Sequence, residues 1–478
     1  MTGPSALAPR RLARTRAVAP FRHRNYRLFF GGQAISLVGT WMQQVAQAWL
    51  VLTITNDPLW LGIVAAAQFL PVMILGLFAG VLADVLPKRQ TLLAVQVVMM
   101  VLAALLAVLT ATGLVQVWMI VLLAILLGCA NAVDMPVRQS FAYEMVGPKD
   151  VGNAVALNSA MFNGARVVGP AVAGLTIGVF GIAIAFALNA VSFVAVIIGL
   201  WMMRDTELHG TRLVPRPRSI REVFENLGEG LRYVRDTPVV LLGVTVVGLV
   251  ATVGMNFTVL IPPLAANVLK SDAAGYGFLM TASGLGALGA AIALVIGGRP
   301  HPVRIAGGAI VLGVASLALA LSTSFPLSLA LMIPIGAGGI TMAATANATI
   351  QLAVPDGLRG RVMSVYTTVF SASIPIGGLA VGAVASAAGI STTVAIGGLL
   401  SLAVGLGAYA WWRRIGSPSP SRGMGSPAAV TMATESATAQ PGVAPAPAPA
   451  AVMGQSTAPN TKAAFNPPNP NEVLSTRR

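Results

Sequence analysis

The sequence predicts an all-α membrane protein in which twelve transmembrane helices form two bundles of six. Three observations predict this fold: 56% of the 478 residues are apolar, only 9% are charged, and long apolar stretches recur from residue 28 onward. Ordinary soluble domains contain about 25% charged residues, so the composition excludes a soluble globule. The single cysteine, Cys129, excludes a disulfide-stabilised scaffold.

The apolar stretches have the length that membrane crossing requires. A helix needs roughly 20 residues to cross a hydrocarbon layer about 30 Å thick. The boundary between the fourth and fifth stretches is the least distinct, because residues 137–151 are mixed in character. The predicted spans are 28–54, 60–83, 91–112, 116–136, 152–178, 181–203, 239–263, 274–298, 303–322, 327–351, 361–387 and 390–412.

The basic residues predict how these spans are oriented. With twelve spans, 28 of the 30 Lys and Arg residues fall on one side of the membrane, and the exceptions are Arg166 and Lys270. Cytoplasmic loops are rich in Lys and Arg, so we expect both termini in the cytoplasm. The net charge of +15 then indicates orientation and attraction to anionic lipid, not a nucleic-acid partner. The predominance of Arg over Lys favours a bacterial, multi-pass inner-membrane protein.

The longest break between spans, 204–238, divides the chain into halves at 28–203 and 239–412. Their similar lengths suggest a duplicated architecture. Ser219 and Glu222 form a capping box that predicts an amphipathic helix in this linker. That helix lies either on the cytoplasmic membrane surface or against the bundle's own loops. Residues 1–27 are predicted to be a basic cytoplasmic N-terminus, and residues 413–478, rich in Pro, Ala and Ser, a disordered cytoplasmic tail.

The break after the second span has a specific motif, Gly80-Val-Leu-Ala-Asp84 followed by Lys88 and Arg89. It resembles the cytoplasmic signature of the major facilitator superfamily, G-x-L-x-D followed by basic residues. The resemblance implies the fold of that family, with a glycine packed on the eleventh helix and an aspartate that caps it and closes the cytoplasmic side. The alternative is a polar hairpin that only connects two helices. The residues predicted for this gate are Gly80, Asp84, Lys88, Arg89, Asp134 and Arg138.

The fifth span contains a second motif that resembles the Gly-Pro motif of exporters in the same superfamily. Glycines and a proline at this position imply a bend and a tight seam with a helix of the other half. The motif residues are Gly164, Gly169, Pro170 and Gly174. Over residues 20–412 the chain most resembles the branch that contains enterobactin exporters and related siderophore or drug efflux proteins.

A charged residue within the fifth span is the sharpest functional clue. A charge at the bilayer centre costs about 2.5–3.5 kcal/mol on insertion scales, so Arg166 should face the protein interior. It shares one helix face with Asn158 and Phe162. We expect Arg166 to line a central cavity, where it attracts an anionic substrate or pairs with a carboxylate. The alternative is a structural pair between helices.

Polar residues in other spans complete the predicted cavity. The first span has a polar stripe that includes Ser36 and Thr40, and it should face inward because lipid cannot satisfy polar groups. Asparagines in the seventh and tenth spans line the cavity or form helix–helix hydrogen bonds. The residues predicted for the substrate cavity are Gln43, Gln44, Gln47, Asn158, Phe162, Arg166, Asn256 and Asn347.

These features predict a secondary transporter that binds a small molecule between its halves and exposes it alternately to each side. The sequence has no catalytic, metal-ligand or nucleotide-binding signature in a suitable context, so we predict no enzyme activity, cofactor or metal. The expected energy source is an ion gradient, with protons as the expected ion, and the expected direction is export by a functional monomer. Import or facilitated movement by the same fold, and a non-transporting membrane sensor, are the alternatives.

Overall fold

The computed structural model describes residues 18–210, 220–298 and 300–415, with side chains described in these ranges except at 77–85, 220–226 and 415. Residues 1–17 of the predicted N-terminus, Ser219 of the capping box and residues 416–478 of the predicted tail lie outside the described residues. Within the described residues the chain is helical and has no β-strand, which confirms the predicted all-α class.

The described residues form thirteen α-helices, which we number α1 to α13. Two 3₁₀ turns, Ala19–Arg22 and Asp205–Glu207, and a π-helical segment, Leu264–Val268, complete the secondary structure. The helices are Arg24–Thr55, Pro58–Val85, Lys88–Ala111, Val117–Phe180, Ile182–Trp201, Ile220–Asp236, Pro238–Gly254, Phe257–Pro263, Ala273–Ile296, Pro302–Leu321, Phe325–Ala353, Asp356–Ala388 and Ile390–Ile415.

Twelve membrane crossings follow from this order, as predicted. The long α4 bends back on itself and counts twice, α7 and α8 form one interrupted crossing, and α6 belongs to the linker. Ten segments of the described chain are long and apolar enough to span a membrane, and the long α4 counts among them once. The first helix is not one of the ten, because its four glutamines lower its mean hydropathy.

The reversal within α4 occurs at a single residue. Gly147 has φ 70° and ψ 178°, while helix continues on both sides of it. This backbone region is essentially restricted to glycine. The fourth span therefore extends beyond its predicted end at residue 136, and the mixed segment 137–151 is helical except at this turn.

Substitution of Gly147 by alanine is expected to destabilise the protein by about 1–3 kcal/mol, because the new residue would occupy a strained conformation. Its Cβ would also lie 2.8 Å from Nε2 of His209. The check is the thermal unfolding midpoint of the purified protein in detergent. Gly152→Ala is the matched control, since a Cβ there meets nothing within 4 Å. Equal midpoints for the two variants would contradict the assigned strain.

The two halves of the helical unit have cores of their own and one in common. One buried cluster, around Tyr26 and Phe141, belongs wholly to α1–α5 and the segments beside them, and another, around Val247 and Ile350, belongs to α6–α13. A third and larger cluster includes residues of both halves. Two bundles joined through a common apolar seam are therefore the architecture that positions the site.

The linker helix α6 packs on the second half. Val234 is 2% exposed within the core of that half, and Leu227 packs against the same core. Gly230 lies against the backbone of Arg361, whose guanidinium forms an ion pair with Glu229. Leu231, by contrast, is 58% exposed. The helix thus contacts the bundle along one side and leaves an apolar residue on another.

Candidate functional site: a cavity between the two halves

The two ends of the bundle differ in their basic residues. The basic face is the end where α1 begins and α13 ends, and it includes Arg89 and Arg204 of the first half and Arg304 and Arg359 of the second. The opposite face is the end where consecutive helices meet at Asn56, Gly181 and Gly389.

The halves are in close contact near the opposite face through glycines on α2 and α12. A Cβ added at Gly62 would overlap the carbonyl oxygen of Gly378, and one added at Gly382 would lie 2.9 Å from the carbonyl oxygen of Pro58. Small residues let helix backbones approach this closely within a membrane. These glycines therefore form the first part of a tight seam between the two halves of the protein.

The second part of the seam joins α4 to α9. A Cβ on Gly174 would lie 2.9 Å from the carbonyl oxygen of Ala274, and one on Gly277 would lie 2.5 Å from that of Pro170. Toward the basic face the seam continues to Gly284, where an added Cβ would lie 3.1 Å from the carbonyl oxygen of Arg166.

An aromatic pair closes the centre of the seam. Trp49 of α1 stacks on Tyr276 of α9, with ring centroids 6.1 Å apart and planes 19° apart. Tyr276 is fully buried, and its hydroxyl has no hydrogen-bond partner within the described part of the chain. Residues from both halves thus block the path to the opposite face.

Nearer the basic face, the sides of α2, α4, α9 and α12 that form the seam have small or exposed residues. On α2, a Cβ at Gly76 meets nothing within 4 Å, although Gly76 follows Gly62 on one side of the helix. On α4 and α9, Val155 is 54% exposed and Val295 is 85% exposed. On α12 the corresponding residues are hydroxyl side chains, and Thr367 is exposed. Among the described residues, these positions therefore lack seam contacts of the kind that Gly62 and Gly174 make.

Arg166 lies at the end of the seam that is nearer the basic face. At about 1.5 Å per residue, it is roughly 21 Å along the helix axis from Phe180. Helix α4 contacts α1 through Gly169 and α9 through Pro170, and Arg166 projects between these two contacts. Its Cζ lies 5.9 Å from the ring centroid of Trp41. Among the described residues it forms no ion pair.

Trp41 and Phe162 place an aromatic surface beside this cation. Their rings meet edge to face with centroids 5.6 Å apart, and Phe162 is 48% exposed. Trp41 is held by Gly169, because a Cβ at that glycine would overlap the Cβ of Trp41. Gly164 has no neighbour within 4 Å of an added Cβ, so of the predicted motif it is Gly169, Pro170 and Gly174 that make close contacts.

The glutamines of the first span divide between two sides of α1. Gln43 and Gln47 are 7% exposed, and Asn189 of α5 donates to the Gln43 side-chain oxygen at 2.5 Å. This contact lies within the first half. Gln44 lies nearer the side of Trp41, and its amide oxygen is buried without a partner in the described chain. Ser36, Gln43 and Gln47 of the predicted stripe are thus buried and Gln44 is partly buried, whereas Thr40 of the same stripe is exposed.

The three predicted asparagines form hydrogen bonds within their own halves of the protein. The Asn158 side-chain oxygen accepts from the Tyr26 hydroxyl at 3.1 Å. Asn256 occupies the break between α7 and α8, where its amide donates to the carbonyl oxygen of Thr252 at 2.7 Å. Asn347 accepts from Gln351 at 2.6 Å. The break in the seventh span at Asn256 was not predicted, because the apolar stretch continues through it.

The described residues of the predicted gate find partners within the first half. Buried Lys88 forms an ion pair with Glu144, near the turn at Gly147. Arg89 donates to Asp205 and to the carbonyl oxygen of Leu200, both at 2.8 Å.

Asp134 forms a second buried group in the same half. It is 2% exposed, forms an ion pair with Arg138 and accepts from Gln96 of α3 at 3.0 Å. Gly80 and Asp84 lie in the segment 77–85, whose side chains are not among those described, so their predicted role stays a prediction.

Sequence reasoning missed several partners in this region. Glu144, Asp205 and Asn189 each hold a predicted residue, and His23 contacts Asp150 at 3.1 Å. The signal available for Glu144 was its position: it follows the apolar part of the fourth span and precedes a glycine and a proline.

Comparison with known proteins decides the family. A family profile described as transmembrane secretion effector matches residues 15–417. The chain belongs to this family of the major facilitator superfamily. It is therefore a multi-pass membrane transporter of small molecules, and its relatives are transporters, not enzymes.

Relatives of this family member include both siderophore and drug transporters. The chain is 26% identical to the staphyloferrin A transporter of Staphylococcus aureus, over 79% of this chain and 93% of the relative. It is 30% identical to the multidrug efflux pump Tap of Mycolicibacterium fortuitum, over 73% of this chain and 86% of the relative.

Solved structures share the fold. A bacterial homologue of the human lysosomal transporter Spinster, in an inward-facing and occupied conformation, matches with a TM-score of 0.65 and 13% identity, over 83% of this chain and 99% of the other. A POT family transporter in complex with 5-aminolevulinic acid matches with a TM-score of 0.65 and 11% identity, over 83% of this chain and 97% of the other. At these identities the likeness concerns the fold alone.

Proposed function

We propose that this chain is a proton-driven exporter of small organic molecules in a bacterial inner membrane, with both termini in the cytoplasm. One observation carries the proposal: the halves touch at the opposite face, whereas the described residues on the same helix sides near the basic face are exposed or make no such contact, with Arg166 and Phe162 at the boundary. The excess of basic residues at the open end supports its assignment as the cytoplasmic end. The cavity then opens to the cytoplasm, where a cargo for export would enter.

Transport in this proposal follows from exchange of the contacts between the halves. Rocking of the two bundles about the site would part the seam at Gly62 and Gly174 and bring the basic ends together. The ion pairs of Lys88 and Asp134 lie within one half, so they can persist while that half moves as a unit. The names of the relatives support cargo of siderophore or drug type.

The test is transport by inside-out membrane vesicles from cells that produce the full chain. Three probes cover the cargo classes: staphyloferrin A, ethidium and 2-naphthylacetate. We expect respiring vesicles to accumulate at least one probe several-fold above vesicles without the protein, and a protonophore to abolish the accumulation. The control is the same preparation with Gly62→Ala, which obstructs the seam.

Other outcomes contradict the proposal in distinct ways. Uptake only by right-side-out vesicles would indicate import. Movement that a protonophore leaves unchanged would indicate facilitated transport without proton coupling. A folded protein that moves none of the three probes in either orientation would favour the non-transporting sensor.

A further inference from the structure

The charge on Arg166 has no counter-charge from the chain at its own depth. Its guanidinium lies over Trp41 and forms no ion pair within the described ranges. The sequence contains no Asp or Glu in 151–204, which includes the rest of α4 and all of α5. The same is true of 1–56 and 273–355, which include all of α1, α9, α10 and α11. The helices around this cation are therefore free of acids.

Among the residues whose side chains the structure describes, Asp134 is the carboxylate at a comparable depth, and it is already engaged. It lies roughly 25 Å along the axis from Val117, at about 1.5 Å per residue. Its two oxygens accept from Arg138 and from Gln96 of α3. Asp134 also lies on the arm of α4 before Gly147, whereas Arg166 lies on the arm after it. No carboxylate of the described residues therefore pairs with Arg166, and its guanidinium is available to an anion from outside the protein.

The surroundings of Arg166 define what such an anion would contact. A guanidinium binds planar oxyanions with two parallel hydrogen bonds. Beside it, Phe162 presents a half-exposed ring, supported edge to face by Trp41. The open side of this cluster continues into the space between the halves. A ligand that satisfies both parts has an oxyanion and a planar apolar group.

We infer that Arg166, Trp41 and Phe162 form a subsite that selects organic anions with a planar apolar group as cargo. This inference rests on the proposed function, since it treats the cavity as the transport path. It assigns a specificity role to Arg166: the residue favours anionic over neutral or cationic molecules of the same skeleton. The Phe162 ring contributes to all members of such a series equally.

The experiment measures binding to the full chain in lipid nanodiscs by titration calorimetry, with three probes of one skeleton. They are 2-naphthylacetate, its neutral amide and 2-naphthylethylammonium, and sodium acetate serves as the anion without the ring. Wild type should bind the anion most tightly. Arg166→Met should weaken binding of the anion about 10- to 100-fold, as loss of a charged hydrogen bond implies, and that of the amide by less than about threefold.

Further variants separate selection from a structural role. Arg304→Met is the matched control, because Arg304 is a partly exposed arginine that donates to the Gly297 carbonyl oxygen at the basic face. It should change no affinity. Phe162→Ala should weaken all three naphthyl probes by a similar factor and leave acetate unchanged. If Arg166→Met fails to fold, Arg166→Lys and Phe162→Ala still report on the subsite.

Several results would overturn the inference. Equal losses for the anion and the amide in Arg166→Met would indicate a structural role, and preferential binding of the ammonium probe would reverse the proposed selectivity. Acetate binding as tight as that of 2-naphthylacetate would indicate a site for small anions only. Vesicle transport is the separate readout: binding of the anion without transport would leave the subsite intact and contradict the proposed function.

Discussion

Replacing Lys88 by methionine is expected to destabilise the protein by about 3–5 kcal/mol, because the substitution removes the cation that forms an ion pair with the largely buried Glu144 carboxylate. The Lys88 side chain is 3% exposed and that of Glu144 is 12% exposed. Removal of one partner from a buried ion pair is far more costly than removal of both. The measurement is equilibrium unfolding of the purified protein in detergent, followed by helical circular dichroism.

The double variant Lys88→Met/Glu144→Leu tests the cause. Since it removes both charges, it should recover most of the stability lost in Lys88→Met. The matched control is Arg359→Met, which breaks the exposed pair of Arg359 and Asp356, where the side chains are 45% and 88% exposed. Exposed pairs contribute about 0–1 kcal/mol. A Lys88→Met variant as stable as this control would show that the buried pair adds nothing.

The Lys88–Glu144 pair also bears on transport. Lys88 begins α3, and Glu144 lies just before the turn at Gly147, so the pair joins the start of α3 to the reversal of α4. Loss of the pair would loosen the first half at the basic face, where the cavity opens. We therefore expect transport by Lys88→Met to fall more steeply with temperature than transport by Arg359→Met.

The fold could be predicted from the sequence because the bilayer imposes a length on every crossing. Twelve apolar stretches and the one-sided basic residues were enough to number the helices and divide them into halves. The reversal of α4 at Gly147 was harder to place, since apolar and polar residues mix on both sides of it. The break at Asn256 gave no compositional signal, because it depends on one amide that caps the carbonyl of Thr252.

The sequence was enough to predict how deep Arg166 lies in the membrane, but not which residues form hydrogen bonds with the predicted site residues. The position of Arg166 within a span followed from residue counting, and its inward direction from the cost of charge in lipid. Hydrogen-bond partners depend on the rotation of each helix and on which helix lies beside it. Thus Gln43 contacts Asn189 within the first half, and Arg89 contacts the end of α5, although sequence spacing relates neither pair.

Alanine at Gly62 is expected to reduce transport more than tenfold, whereas alanine at Gly76 on the same helix should leave it within about twofold. The Cβ at Gly62 would overlap the backbone carbonyl of Gly378 and lie 3.2 Å from the Cα of Leu379, so the helices must separate. Overpacking of this kind costs about 1–3 kcal/mol. Each 1.4 kcal/mol changes a population ratio tenfold, so the state closed at the opposite face becomes rare.

The measurement that checks this shift is the distance between spin labels on the two halves at the opposite face. Thr53→Cys and Ala387→Cys provide exposed attachment sites in a background without Cys129. With Gly62→Ala the distance distribution should move to longer values, and with Gly76→Ala it should match the parent protein. Gly76→Ala should also raise stability slightly, because alanine is the better helix former and its Cβ meets nothing within 4 Å.

The comparison separates the seam from the helix itself. Both substitutions add the same methyl group to α2, so any difference between them comes from what each Cβ meets across the halves. Unchanged transport and distances in Gly62→Ala would mean that the seam opens without cost, and closure at the opposite face would then have to depend on the stack of Trp49 and Tyr276. A seam of backbone against backbone has little room to adjust, which makes the position of Gly62 decisive for alternating access.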